Sequence, residues 1–158
     1  MTAQPAQVIA RAAQDGLWLA TAESLTAGAV VARLVDVPGA SAAVAGGAAC
    51  YSYRAKTRVL GVDAELLQRT GAVTAEVAAA MAEGALDLYG ADLAVSTTGV
   101  AGPGPDERGV PEGTVWVGLA RRGGPTRTRE LHLTGARSAV RSQAVDAAIA
   151  ELAWALGA

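Results

Sequence analysis

The chain has 158 residues, of which 51% are apolar, and carries a formal net charge of −2 at pH 7. This length predicts a single domain over residues 1–158, and the charged residues scattered along it leave no apolar run long enough to cross a membrane. One cysteine and one histidine exclude an internal disulfide and a Cys/His zinc site, and a single short arginine-rich stretch, residues 120–129, does not indicate a nucleic-acid partner.

The N-terminal segment, MTAQPAQVIARAAQDG, has no basic region followed by an apolar one, so it differs from a signal peptide. We therefore expect a cytoplasmic protein that is not attached to a membrane. Residues 5–15 combine an early proline, helix formers and a following Gly16, which is typical of a short helix.

The next segments predict a strand, a tight turn and a helix. Residues 17–21 are apolar and predict a buried strand, and residues 24–36 begin with small and hydroxyl side chains before an amphipathic stretch. Residues 43–52 predict a second strand, and residues 54–60 predict another helix. The glycines inside the second strand indicate a close approach of backbone or ligand.

The middle of the chain predicts two capped helices and a third strand. Asp63 is placed to cap a short helix that ends near Gly71, and Thr74 is placed to cap a long helix over residues 75–90. Residues 92–99 then predict a strand.

The remaining segments complete an α/β pattern. Residues 99–113 are rich in glycine and proline and form the longest irregular segment, which is typical of a functional loop. Residues 114–122 and 126–134 predict a hairpin, and residues 138–156 predict a helix. Helices that alternate with strands predict a three-layer α/β/α sandwich around a mixed, mostly parallel sheet of about five strands, one of them antiparallel.

Lys56 is the only lysine of the chain, whereas the other cationic side chains are arginines. A buried ammonium can lose its proton, whereas a guanidinium effectively cannot, so this position suits a base. The apolar residues before Lys56, together with Arg54 and Arg58, are expected to lower its pKa. The alternative is a solvated lysine on a helix.

Ser24 lies where a strand is predicted to lead into a helix, at the edge of the sheet where ligands bind in α/β proteins. We expect the helix N-terminus there to offer unpaired N–H groups, and a serine beside them to act as a nucleophile. The alternative is that Ser24 or Thr26 caps the helix. His132 alternates with leucines in a predicted strand, so it is expected to face solvent or the sheet surface, which leaves Lys56 as the candidate base for Ser24.

Three further features are candidates for contacts with a substrate. Tyr51 or Tyr53 is placed to relay a proton or to orient the lysine amine, the alternative being packing against a helix. The glycine-rich loop after Thr98 is suited to bind phosphate through its N–H groups. Arg137 and Arg141, one helical turn apart, are suited to bind a phosphate together with the N-terminus of the last helix, the alternative being exposed helix cations.

Seven segments in order resemble the C-terminal domain of the CinA (competence/damage-inducible) family, and together they span nearly the whole chain. They are AESLTAG (22–28), PGAS (38–41), YSYRAKTRVLGV (51–62), GAVTAEVAAAMAEGAL (71–86), TTGVAGPG (97–104), PEGTVWV (111–117) and TGARSAVR (134–141). The stand-alone form of this family is nicotinamide-nucleotide amidohydrolase. The resemblance implies hydrolysis of nicotinamide mononucleotide to nicotinate mononucleotide and ammonia, with no metal and no cofactor.

Carried over by position, the resemblance implies that Ser24 is the nucleophile, that Lys56 is its base and that Tyr51 assists proton transfer. It also implies a set of substrate contacts, with Arg137 at the phosphate. That set is Thr26, Gly28, Ser41, Thr98, Gly99, Gly102, Arg137 and Arg141. Family habit and an alanine-rich helical surface favour a homo-oligomer, most simply a dimer.

The chain departs from the family pattern at two motifs. Where the family has Glu-Ser-Cys-Thr-Gly-Gly, this chain has Leu25 and Ala27, and the added methyl group of Ala27 is expected to narrow the site or to oppose a positive φ. Where the family has Gly-Asp-Arg, this chain has Ala136, which removes a carboxylate near the expected phosphate contact. We also expect no activity of the N-terminal domain that larger CinA proteins carry.

Three alternatives to this amidase remain open. One is a nucleotide-binding module without turnover, a second is an amidase of the same mechanism acting on a different small amide, and a third is a structural or assembly role.

Overall fold

A computed structural model describes residues 5–158 of the chain. It contains six α-helices, five strands and one short 3-10 helix at Ala40–Ala42. The helices are α1 (Pro5–Asp15), α2 (Ala29–Val35), α3 (Tyr53–Leu60), α4 (Ala64–Thr70), α5 (Ala75–Tyr89) and α6 (Arg137–Leu156). The strands are β1 (Leu19–Glu23), β2 (Val44–Ala49), β3 (Leu93–Gly99), β4 (Thr114–Arg121) and β5 (Arg127–His132).

The five strands form one sheet in the order β2-β1-β3-β4-β5. β1 pairs in parallel with β2 and β3, and β4 pairs antiparallel with β3 and β5. Only β4 therefore runs against the others, as predicted. The carboxyl ends of β1, β2 and β3 meet at one edge, so the chain segments that leave these strands lie side by side there.

Helices cover both faces of the sheet, which confirms the predicted α/β/α sandwich. α1, α2 and α6 pack together on one face, and α5 lies across β1 to β4 on the other face with α3 beside it. Leucine, isoleucine and valine dominate the core under α6, whereas alanines dominate the core under α5. The small side chains on the α5 face let the helices approach the sheet closely.

Most predicted boundaries lie within two residues of the observed ones, but β2 ends at Ala49, three residues earlier than predicted. The side chain of Asp63 accepts a hydrogen bond from the Glu65 N–H at 2.9 Å, and that of Thr74 accepts one from the Val77 N–H at 3.2 Å, so both predicted caps are confirmed. Strand β1 starts at Leu19, two residues later than predicted, because Leu17 still closes the end of α1, its N–H donating to the Ala12 carbonyl at 2.9 Å.

Gly84 sets the distance between α5 and α3. A Cβ atom at this position would collide with the main-chain carbonyl of Leu60, the last residue of α3. Since backbone atoms cannot move aside as a flexible side chain can, glycine is required for this helix contact.

We expect Gly84→Ala to lower the free energy of unfolding by about 1–3 kcal/mol, because the added methyl group overpacks the contact between α3 and α5. In an unhindered helix the same exchange would raise the free energy of unfolding by about 1 kcal/mol, so the sign of the change shows whether the helix contact is present. Urea unfolding measures the effect, with Ala79→Gly on the same helix as a control for propensity alone. A Gly84→Ala protein at least as stable as the wild type would contradict the assigned contact.

Candidate active site

Ser24 and Lys56 meet at the carboxyl edge of the sheet. Ser24 directly follows β1, Lys56 lies in the middle of α3, and the Lys56 Nζ atom is 2.8 Å from the Ser24 Oγ atom. The two residues are 7% and 1% exposed, so the contact is largely shielded from water. The Ser24 N–H continues the sheet by donating to the carbonyl of Thr97, which fixes the serine backbone.

The Lys56 amine has two further acceptors. These are the main-chain carbonyls of Cys50 and Tyr51, each 2.9 Å from Nζ, in the segment that leaves β2. An ammonium has three donors, and the two carbonyls and the serine oxygen accept all three. A neutral amine keeps two donors for the carbonyls, so its lone pair faces the Ser24 hydroxyl.

Burial lowers the pKa of Lys56 from 10.5 to about 8, and the nearby Cys50 thiol opposes part of this shift. Burial likewise raises the pKa of the Cys50 thiol. The expectation that Arg54 and Arg58 contribute to the lowered pKa was wrong, because both side chains are exposed and burial is the dominant cause. The amine is thus neutral in an appreciable fraction of molecules near neutral pH.

The Glu23 carboxylate, not Ser24 or Thr26, caps helix α2. It is 1% exposed and accepts hydrogen bonds from five groups, all in or beside the turn. The donors are the hydroxyls of Thr21 (2.9 Å) and Thr26 (2.7 Å) and the N–H groups of Gly28 (3.2 Å), Val30 (2.8 Å) and Val31 (3.0 Å). The expectation that this helix N-terminus offers unpaired N–H groups to a ligand was therefore wrong.

Glu23 was not identified as a site residue from the sequence. The available signal was its acidic side chain a few residues before a helix, where negative charge is stabilising. Its position in a strand concealed this role, because the side chain reaches the helix only after the turn has folded back.

The turn between β1 and α2 contains a left-handed pair of residues. The φ angles of Ala27 and Gly28 are 53° and 95°, and the Ala29 N–H donates to the Thr26 carbonyl at 3.0 Å. This combination is typical of a type I′ turn, in which glycine, asparagine and aspartate are favoured at both central positions. Ala27 keeps the positive φ that its methyl group was expected to oppose, and that methyl group points into solvent at an exposed position.

Two N–H groups of the turn are uncommitted. Within residues 5–158, the N–H groups of Leu25 and Thr26 make no hydrogen bond. The neighbouring Ala27 N–H donates to the Ser24 carbonyl at 3.2 Å. The two free donors directly follow the serine, which suits the binding of negative charge that develops beside its Oγ.

The predicted contacts Thr26 and Thr98 are buried, and their hydroxyls have protein partners. The Thr26 Oγ1 donates to Glu23 and lies 2.7 Å from the Thr97 Oγ1, while the Thr98 Oγ1 donates to the Ala72 carbonyl at 2.7 Å. Gly28, also predicted as a contact, donates its N–H to Glu23. In this structure these groups support the turn and β3.

A cavity of about 290 Å³ lies beside the site, between Tyr51, the glycine-rich loop and the start of α6. Its lining includes the predicted contacts Gly99, Gly102 and Arg137. The Arg137 guanidinium donates to the Gly102 carbonyl at 2.7 Å and to the Tyr51 hydroxyl at 3.2 Å. The phenol of Tyr51 therefore contacts Arg137, and only the main-chain carbonyl of Tyr51 contacts Lys56.

Arg141 and Ser41 were predicted as substrate contacts, but neither side chain lines the cavity. The Arg141 side chain donates to the carbonyls of Leu25 at 2.8 Å and Thr26 at 3.2 Å, so it binds the turn. Ser41 is exposed in the 3-10 helix before β2, at the edge of the sheet opposite Ser24. The structure does not bring Ser41 to the site. His132 is 75% exposed at the end of β5, as expected.

Within residues 5–158, no group of three or more carboxylate, imidazole or thiol side chains is arranged to hold a metal ion. In the same part of the chain, every helix is too short or too polar to cross a membrane.

Comparison with known proteins identifies one family. The family model of the CinA C-terminal domain matches residues 2–156 of this chain. CinA-like proteins of Mycolicibacterium vanbaalenii and Akkermansia muciniphila are 50% identical over 141 residues and 47% identical over 145 residues, which covers 89% and 92% of this chain. The alignments cover 33% and 35% of those relatives, so the chain spans about a third of their length.

Solved structures match the fold over nearly the full length of both chains. A CinA superfamily protein of Klebsiella pneumoniae superposes with a TM-score of 0.93 at 37% identity, covering 97% of this chain and 95% of that one. A competence/damage inducible protein of Agrobacterium tumefaciens gives a TM-score of 0.88 at 34% identity, with coverages of 98% and 96%.

We expect Glu23→Gln to lower the free energy of unfolding by roughly 2–4 kcal/mol, because an amide nitrogen cannot accept the hydrogen bonds that one carboxylate oxygen receives. Glu76→Gln, in the exposed first turn of α5, removes the same charge and is the control, with an expected loss of about 0.3–1 kcal/mol. Urea unfolding measures both variants. Equal losses of unfolding free energy in the two variants would show that Glu23 stabilises the protein only through the charge it places near a helix N-terminus.

Proposed function

Because the chain belongs to the CinA C-terminal domain family, we propose that it is a serine amidohydrolase that converts nicotinamide mononucleotide into nicotinate mononucleotide and ammonia, within pyridine-nucleotide recycling. One observation carries the proposal: the buried amine of Lys56, the only lysine of the chain, lies 2.8 Å from the hydroxyl of Ser24. A serine needs a base to become a nucleophile, and a buried lysine with a lowered pKa is one.

In the proposed first step, the neutral Lys56 amine takes the proton of the Ser24 hydroxyl while the Oγ atom attacks the carbon of the carboxamide. The carbonyls of Cys50 and Tyr51 hold two of the amine protons. Their hydrogen bonds orient the lone pair before the reaction and also stabilise the ammonium that forms. The base therefore needs no rearrangement between its two protonation states.

The attack places negative charge on the former amide oxygen, and the free N–H groups of Leu25 and Thr26 are the proposed donors to it. When the carbon–nitrogen bond breaks, the Lys56 ammonium gives its proton to the nitrogen, which leaves as ammonia. An ester between Ser24 and the nicotinoyl group remains. Lys56, neutral again, activates a water molecule that hydrolyses this ester and restores the serine.

The cavity beside Tyr51 is the proposed position of the nucleotide. Arg137 lines it, at the first residue of α6, and the N-terminus of α6 has no side-chain cap. A guanidinium and an uncapped helix N-terminus both favour a phosphate group. The glycine-rich loop supplies the opposite wall and allows close approach of a ligand to its backbone.

We expect the wild type to release equal amounts of ammonia and nicotinate mononucleotide from nicotinamide mononucleotide. Ser24→Ala and Lys56→Arg should each lower kcat/KM by about a thousandfold or more, because loss of one member of such a pair removes the activated nucleophile. Lys56→Arg keeps the positive charge but has no lone pair at neutral pH. Arg58→Lys, the reverse exchange at an exposed position of the same helix, should leave turnover unchanged.

The outcomes separate the alternatives. Near-wild-type turnover in Lys56→Arg would exclude Lys56 as the base. Saturable nucleotide binding by the wild type without ammonia release would indicate a binding module, and ammonia release from another small amide alone would indicate a different substrate.

We also expect kcat/KM to rise with pH and to level off above an apparent pKa of about 8, the value to which burial lowers the pKa of Lys56. The base acts only as the neutral amine, so kcat/KM at pH 7 should be about a tenth of its plateau. Measurements between pH 7 and 9.5 avoid the phosphate, which ionises near pH 6. A flat profile in this range would contradict a lysine base.

A further inference from the structure

We infer that Arg141 is a positioning residue that aims the N–H group of Thr26 at the oxyanion of the reaction, rather than a ligand of the substrate phosphate. This inference rests on the proposed function, because it assigns the part that holds the oxyanion site in place.

Arg141 binds two consecutive carbonyl groups of the turn between β1 and α2. Its Nε atom donates to the carbonyl of Leu25 at 2.8 Å, and its Nη2 atom donates to that of Thr26 at 3.2 Å. The two acceptors lie in residues that are 3% and 0% exposed. A guanidinium in this arrangement fixes the orientation of two peptide groups at once, which a lysine ammonium cannot do with the same geometry.

The orientation of a carbonyl determines that of the next N–H. The peptide bond between Leu25 and Thr26 is planar and trans, so its C=O and N–H groups point in opposite directions. With the Leu25 carbonyl turned toward Arg141 in α6, the Thr26 N–H points away from α6. Helix α6 lies on one face of the sheet and α3, which carries Lys56, on the other. The Thr26 N–H is thus directed toward the side on which Ser24 meets Lys56.

The other side of the turn is already fixed by a group of opposite charge. Glu23 binds the N–H groups of Gly28, Val30 and Val31, so it accounts for the donors at the start of α2. Arg141 binds the buried carbonyls of Leu25 and Thr26. What the turn leaves unbound is the pair of N–H groups at Leu25 and Thr26, and Arg141 is the side chain that determines where one of them points.

Arg137 is the natural contrast, because it lies one helical turn earlier on the same face of α6. It lines the cavity and binds Gly102 and Tyr51, so its loss should raise KM for the nucleotide. Loss of Arg141 should instead lower kcat, since it disturbs stabilisation of the transition state and leaves the phosphate contact intact.

The test uses a fluorophosphonate, which reacts with an activated serine without the natural substrate. In this reaction the Ser24 Oγ–phosphorus bond forms, the phosphorus–fluorine bond breaks with loss of fluoride, and Lys56 takes the serine proton. The phosphoryl oxygen gains negative charge where the amide oxygen would. We expect Arg141→Met to lower the second-order labelling rate by about ten- to a hundredfold, less than the loss of a whole donor.

Three variants make the result specific. Arg141→Lys, which retains one donor and the charge, should fall between the wild type and Arg141→Met, and added guanidinium ion should partly restore labelling in Arg141→Met. Arg33→Met removes a different arginine contact to α6, its ion pair with Asp146, and should label at the wild-type rate. Thermal unfolding of each variant confirms that labelling is compared between folded proteins.

The outcomes distinguish this inference from the proposed function. Wild-type labelling rates in both Arg141 variants, with Ser24 reactive, would overturn the role of Arg141 and leave the serine mechanism standing. A wild type whose Ser24 does not react at all would overturn the serine mechanism itself. If Arg141→Met raises KM for nicotinamide mononucleotide and leaves kcat unchanged, Arg141 is a phosphate ligand and the inference is wrong.

Discussion

The burial of one lysine amine against a serine hydroxyl is the constraint on which the rest of the site depends. Lowering the pKa of Lys56 from 10.5 to about 8 corresponds to roughly 3 kcal/mol against the charged form. This destabilisation is partly offset because three oxygen atoms accept hydrogen bonds from the ammonium. Contacts outside the site also hold α3 in place. The Ser52 hydroxyl caps the start of α3, and α5 touches its last carbonyl at Gly84. A small movement of this helix would carry the amine away from Ser24, so remote packing determines how well the proposed base is placed.

The turn between β1 and α2 is held by two opposite charges that bind opposite kinds of backbone group. Glu23 receives N–H groups, Arg141 donates to carbonyls, and neither side chain has to touch a substrate. The positive end of the α2 dipole is thereby neutralised within the protein, so an anion gains little there. Any stabilisation of developing charge beside Ser24 then falls to the turn itself. Such preorganised backbone donors act without reorganisation during the reaction, which is why a rigid turn is an advantage for catalysis.

Features that depend on residues close in sequence could be predicted, whereas contacts between residues that only the folded chain brings together could not. The caps Asp63 and Thr74 were predictable because a cap bonds N–H groups two or three residues away. Lys56 stood out because its chemistry is unique within this chain. Glu23 was missed because its partners become neighbours only after the turn reverses the chain. Arg141 was correctly placed one turn after Arg137, yet its partner lies more than a hundred residues away in sequence, and helix spacing carries no information about that contact.

The turn also shows how the backbone accommodates an alanine at a position that favours glycine. An alanine with φ of 53° is strained by roughly 1–2 kcal/mol relative to a right-handed conformation, whereas a glycine is not. Glu23 and Arg141 hold the residues on both sides of Ala27, so the backbone has no low-energy way to relax. The strain is therefore borne as reduced stability rather than as a changed shape. An alanine in place of glycine at this position is thus expected to affect the stability of the fold, whereas the buried side chains that surround the turn determine the geometry around Ser24.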